Sequence, residues 1–89
     1  MLQTYSIIVS GKVQGVFYRR YTREKAIELG LDGIVENQPD GSVLILATGT
    51  NSQINQLISW CRQGPRRAIV SSVDAEIIET RTFKGFSIQ

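Results

Sequence analysis

Histidine is missing from this chain altogether, and cysteine and tryptophan appear once each. Without histidine, the commonest general base and the commonest metal ligand are both excluded. The lone Cys61 rules out an internal disulfide framework and fits a reducing compartment. It has no histidine to activate it, and its place on an apolar helical stripe reads as core. No spacing of Asp and Glu suggests a metal cage. No apolar run approaches the roughly 20 residues that would span a bilayer. The first residues also lack a cationic segment followed by an apolar one, so no secretory signal is expected and the cytoplasm is the expected location. With 89 residues there is room for one core, hence one domain over residues 1–89, and a hydrophobic content of 42% suffices to fill it. Any catalysis by such a chain has to work through positioning and electrostatics.

What the chain does contain is a cationic stretch built around glycines. The net charge is only +2, yet Lys12, Arg19, Arg20, Arg23 and Lys25 crowd one segment, and Arg66-Arg67 form a second small cluster. Such a field favours a small anionic substrate. At its centre is Gly11-Lys12-Val13-Gln14-Gly15-Val16-Phe17-Tyr18-Arg19, between a strand-like and a helix-like segment. Gly11 and Gly15 allow sharp backbone turns that aim several N–H groups at one point. The helix that follows adds unpaired amides and a positive dipole end. Arg19 supplies a planar fork for two phosphate oxygens. Taken alone, these residues fit an anion cradle, and equally a glycine turn with a solvated arginine. The loop is no Walker motif, because Gly11-Lys12 is followed by Val13 and not by a hydroxyl residue. It is no dinucleotide fingerprint either, because the third glycine is lacking.

The order of elements is legible from periodicity. Thr4–Ser10 alternates as a strand, and Tyr18, Thr22, Ala26 and Leu29 recur at helical spacing up to Gly30. Leu31–Glu36 reads as a strand closed by the turn Asn37-Gln38-Pro39-Asp40-Gly41, and Ser42–Thr48 as a central strand. Ile54, Leu57, Ile58 and Cys61 mark a second helix, with Asn51 or Ser52 available as its cap and Gly64-Pro65 as its stop. A strand over Ala68–Glu79 and a short one over Phe86–Ile88 complete the chain. The expected fold is an α+β, ferredoxin-like βαββαβ sandwich. Its sheet is mostly antiparallel, both helices lie on one face, and a short fifth strand follows. Ile8, Leu44 and Leu46 fall out of phase with Ile7, Val9, Val43 and Ile45, and so belong to the open face of the sheet.

The motif Gly11-x-Val13-Gln14-Gly15-Val16-x-Tyr18-Arg19 resembles the signature of the acylphosphatase family. Gly33-Ile34-Val35-Glu36-Asn37 with Asp40-Gly41 resembles its second block. Leu29-Gly30-Leu31, Trp60, Gly64-Pro65-x-x-Ala68-x-Val70 and Phe86-x-Ile88 also fall where the family has them, so the likeness spans essentially the whole chain. The resemblance implies hydrolysis of a carboxyl–phosphate anhydride to carboxylate and inorganic phosphate. By position, the phosphate falls to the loop Lys12, Val13, Gln14, Gly15, Val16, Phe17 and Tyr18 and to Arg19, and the attacking water to Asn37. No cofactor and no metal are implied. The sequence departs from the pattern at Tyr18, where Phe is usual, and at Ile34, where Trp or Phe is usual. Both departures are expected to tune rate or stability and to leave the activity in place.

The expected partner is a small-molecule acyl phosphate, with no nucleic acid and no membrane, and a monomer is expected. A non-catalytic acylphosphatase-like module binding phosphate or carbamoyl phosphate is the alternative, against which the chain's length reads as that of a complete enzyme. An RNA reader of this plan would stack bases on aromatics of its central strands, and Val43-Leu44-Ile45-Leu46-Ala47 offers none.

Overall fold

Strand β1 (Gln3–Lys12) and helix α1 (Tyr18–Glu28) flank the glycine loop, and strands β2 (Asp32–Asn37) and β3 (Val43–Gly49) form the hairpin that follows. Helix α2 (Asn51–Gln63), β4 (Ile69–Ile78) and β5 (Phe86–Ile88) complete the element order. These come from a computed structural model that describes residues 1–89. The sheet has five strands in the order β4-β1-β3-β2-β5. Neighbours are antiparallel except β5, which lies parallel to β2 with Ile34 opposite Ser87. This is the ferredoxin-like α+β plan, with β5 added at one edge.

The period-2 pattern decides which face is covered. Ile7, Val9, Val35, Val43, Ile45 and Ala47 are all fully buried. They meet the i, i+4 stripe of α1 (Tyr18, Thr22, Ala26) and the stripe of α2 (Ile54, Leu57, Ile58, Cys61). Each large aliphatic side chain removed from water in this way contributes about 1.5–3 kcal/mol. Helix α1 packs over β2 and β5, and α2 over β4 and β1. On the open face Ile8 remains 41% exposed, while Leu46 is buried opposite Ile34. The usual aromatic at position 34 would therefore cover the open face of the sheet, away from the helices.

Strands β2 and β3 each lie one residue further along than the sequence reading, so that Asn37 ends β2 and is not part of the turn, and two other differences have clear physical reasons. Strand β1 runs on through Gly11 and Lys12, because a bulge at Ser10/Gly11 keeps the ladder paired with Val70 and Ile69 of β4. The cap of α2 is Thr50 and not Asn51 or Ser52, because only Thr50 has a glutamine three residues on. Its hydroxyl accepts from the Gln53 N–H at 3.2 Å while Gln53 Oε1 accepts from the Thr50 N–H at 2.8 Å. The link from β4 to β5 is pinned where the Arg81 N–H donates to Thr4 Oγ1 (2.8 Å) and Thr48 Oγ1 donates to the Arg81 carbonyl (2.9 Å).

Candidate active site

The glycine loop passes from β1 to α1 through two left-handed residues, Gly15 (φ 74°) and Phe17 (φ 63°). A bulky residue with positive φ is uncommon and strained. None of the backbone N–H groups from Gln14 to Phe17 donates to another backbone group of the chain. Phe17 also occupies the N-cap position of α1 and makes no side-chain cap hydrogen bond. The loop therefore brings a run of uncommitted amide donors to the positive end of a helix.

A cavity of about 280 Å³ opens at this point, lined by Val13, Gly15, Phe17, Tyr18, Arg19 and Arg20, with Asn37 and Ile88 on the other side. Arg19, in the first turn of α1, is half-buried, and its Nη1 donates to the Gln89 carbonyl at 3.2 Å. One donor is thus used to anchor the guanidinium and the others remain available. The neighbouring cations are differently engaged. Arg20 pairs with Glu24 at 3.4 Å, Lys25 with Glu28 at 3.5 Å, and Arg23 Nε donates to the Phe86 carbonyl at 2.8 Å. Arg23 thereby holds β5, and with it Ile88, against α1.

Asn37 is the last residue of β2, paired with Val43. Its position depends on the hairpin turn. Within that turn the Asp40 carboxylate accepts from the Ser42 hydroxyl (2.6 Å) and from the Ser42 N–H (2.9 Å). These bonds, the hydroxyl first, hold the Asp40 carboxyl below its usual range. A further tie went unseen in the sequence. Gln14 Nε2 donates to the carbonyls of Gln38 (2.8 Å) and Ser42 (2.9 Å), bracing the loop against the hairpin that carries Asn37. Only the folded chain shows it, because the partners lie 24 and 28 residues away.

The other loop residues divide by role in the fold. Lys12, read as the first loop residue, is exposed and ends β1 opposite Ile69, so the ladder keeps it off the cavity lining. Val16 is buried and faces a neighbouring groove. Tyr18 is the first residue of α1, and its hydroxyl donates to the Cys61 carbonyl at 2.8 Å. That contact is the partner a buried phenol requires. Burial pushes the Tyr18 phenol well above its ordinary range, and burial likewise pushes the Cys61 thiol up to about 12. Neither group has the character of an acid, base or nucleophile near neutral pH.

A mixed sheet of this order, with donors converging at the β1–α1 loop beside an asparagine, defines a ferredoxin-like domain with a cavity suited to a tetrahedral oxyanion. The acylphosphatase family profile matches residues 5–88. An acylphosphatase from Marinobacter nauticus is 49% identical over 86 residues, covering 96% of this chain and 94% of its own. The structure of an acylphosphatase from Coxiella burnetii superimposes with a TM-score of 0.96 at 40% identity, covering 99% of this chain and 93% of that one. The Bacillus subtilis acylphosphatase structure gives 0.94 at 32% identity, covering 100% and 99%. The chain belongs to the acylphosphatase family. Enzymes of that family are hydrolases that act on small acyl phosphates.

Proposed function

We propose that this chain hydrolyses acyl phosphates at the loop cavity, with Arg19 and the loop amides holding the phosphate and Asn37 holding the water. The observation that carries the reading is that Arg19, Asn37 and the loop line one cavity. The uncommitted N–H groups and the α1 dipole complement the charge spread over the phosphoryl oxygens, and the guanidinium fork donates to two of them. Asn37 cannot act as a base, but its side-chain carbonyl accepts a hydrogen bond from water and can hold it in line with phosphorus.

In the reaction, the water oxygen forms a bond to phosphorus as the bond from phosphorus to the acyl oxygen breaks. The electron pair leaves with the carboxylate, which is stable without protonation. A phosphate oxygen of the substrate takes the proton from water, so no histidine is needed. Little covalent work is left to the protein in a transfer of this kind. The reading includes a metal-independent enzyme, a monomer and a cytoplasmic location. In its support, one core cluster unites the two helices and the sheet, and the single cysteine is a free thiol.

The test is hydrolysis of benzoyl phosphate in excess EDTA, with inorganic phosphate as inhibitor. The expected result is turnover indifferent to EDTA and inhibited competitively by phosphate. A folded but inactive chain that still binds phosphate would reduce the cavity to a receptor and overturn the reading.

A further inference from the structure

Beside the phosphate cavity lies a second groove of about 390 Å³, formed by Phe17 with Val16, Tyr21, Trp60, Pro65, Arg66 and Arg67. Phe17 is the residue common to both. Phe17 is 59% exposed although its backbone is held in the left-handed region, so core packing does not account for it. One turn further along α1, Tyr21 is also exposed, and Trp60 rests half-buried against Tyr18 with ring centroids 5.6 Å apart. The result is an aromatic trough beginning at the wall of the phosphate site.

The trough carries charge of one sign. Arg66 and Arg67 are exposed and no Asp or Glu lines the groove. The ion pairs of the molecule are Arg20–Glu24 and Lys25–Glu28, so neither Arg66 nor Arg67 is neutralised within the chain. A phosphate seated on the loop amides has to send its acyl group past a wall of the cavity, and over Phe17 that route enters the trough. An apolar acyl body gains burial against the aromatic rings, and a negative group on it would meet the two guanidinium groups.

We propose that the trough binds the acyl half of the substrate and favours acyl phosphates whose acyl group combines an apolar body with a distal carboxylate. The proposal rests on the hydrolase reading above. It is tested with benzoyl, 4-carboxybenzoyl and 4-carbamoylbenzoyl phosphate, which share the reacting bond and differ only in the distal group. In the wild type, kcat/KM for the carboxylate should exceed that for its neutral carbamoyl counterpart by roughly 5-fold at low salt. The ratio should fall to about 1 in the Arg66→Gln/Arg67→Gln double variant and, for the wild type, in about 1 M salt, where exposed charges are screened. Because it is a ratio, it does not depend on how much of a variant is folded. Arg81→Gln/Lys84→Gln removes the same charge outside the groove and should keep the preference. A wild type without preference, a preference that survives in the Arg66/Arg67 variant, or an equal loss in the Arg81/Lys84 variant would overturn the trough while leaving the hydrolase intact. Inactivity of the wild type on all three acyl phosphates would instead overturn the hydrolase reading itself.

Discussion

The two helices begin in opposite ways. Helix α2 opens on a reciprocal capping box, in which Thr50 and Gln53 satisfy each other's amides. Helix α1 opens on Phe17, strained and without a side-chain cap, after a run of amides with no backbone partner. An N-terminal cap stabilises a helix by about 1 kcal/mol, so α1 forgoes stability that α2 secures. The helix start that forgoes it is the one facing a cavity lined by Arg19 and Asn37. Donors left open to a ligand cannot also serve the fold, and the contrast separates a helix end free to bind from one that only holds.

That contrast can be broken most forcefully at Arg19. Arg19→Lys keeps the charge and loses the fork, so kcat/KM for benzoyl phosphate should fall by roughly 1,000-fold, while thermal unfolding shifts little. Near-normal turnover would show that a point charge suffices at the α1 terminus. Asn37→Ala comes next. Its kcat should fall by roughly 100-fold while phosphate still inhibits competitively, as expected for a lost water position. If phosphate inhibition disappears as well, Asn37 is supporting the loop and not the water.

A smaller effect is expected where the helices meet. The Tyr18 hydroxyl donates to the Cys61 carbonyl in the last turn of α2, where a carbonyl has no helical partner. The start of α1 thus closes the far end of α2. Tyr18→Phe should cost about 1–2 kcal/mol in denaturant unfolding and leave kcat largely unchanged. A raised thiol pKa adds a pH signature. The unfolded thiol ionises near 9.0 and the buried one only near about 12. Between these values the folded chain binds more protons, so stability should decline as pH climbs through that window. A melting temperature flat from pH 8 to about 11 would contradict burial of the Cys61 thiol. The smallest effect is expected from Thr50→Ala, at about 1 kcal/mol and a Tm lower by roughly 4–8 °C, with turnover unaffected. A loss of activity there would mean that the two helix ends are not independent.

Much of this was legible beforehand, because the strands alternate cleanly and the helices carry narrow apolar stripes. Tyr18, Thr22 and Ala26 point inward as their spacing demands. What remained hidden depends on partners far along the chain. Gly11 looked like the start of a loop because glycine is turn chemistry, but pairing with β4 carries the strand past it. Lys12 shared a motif with the loop and is kept from the cavity by the same ladder. The Thr50 cap could have been found from its glutamine at the box spacing. The Gln14 brace could not, since a side-chain amide says nothing about which carbonyls the fold will bring to it. Likewise the sequence offered Arg20, Arg23 and Lys25 as one field, and the structure assigns each a different partner.

The bond from Arg19 to the Gln89 carbonyl spans 70 positions, and it ties the site to time as well as to space. Strand β5 pairs with β2, and Arg23 and Arg19 reach across to it and to the residue that follows it. A refolding chain can therefore recover its helical signal early, since helices form fast and locally. The cavity is complete only once β5 has closed on the sheet, and such non-local closures are slow. Regained turnover should lag regained helicity, so that the enzyme's own activity becomes the clock for the final step of its folding.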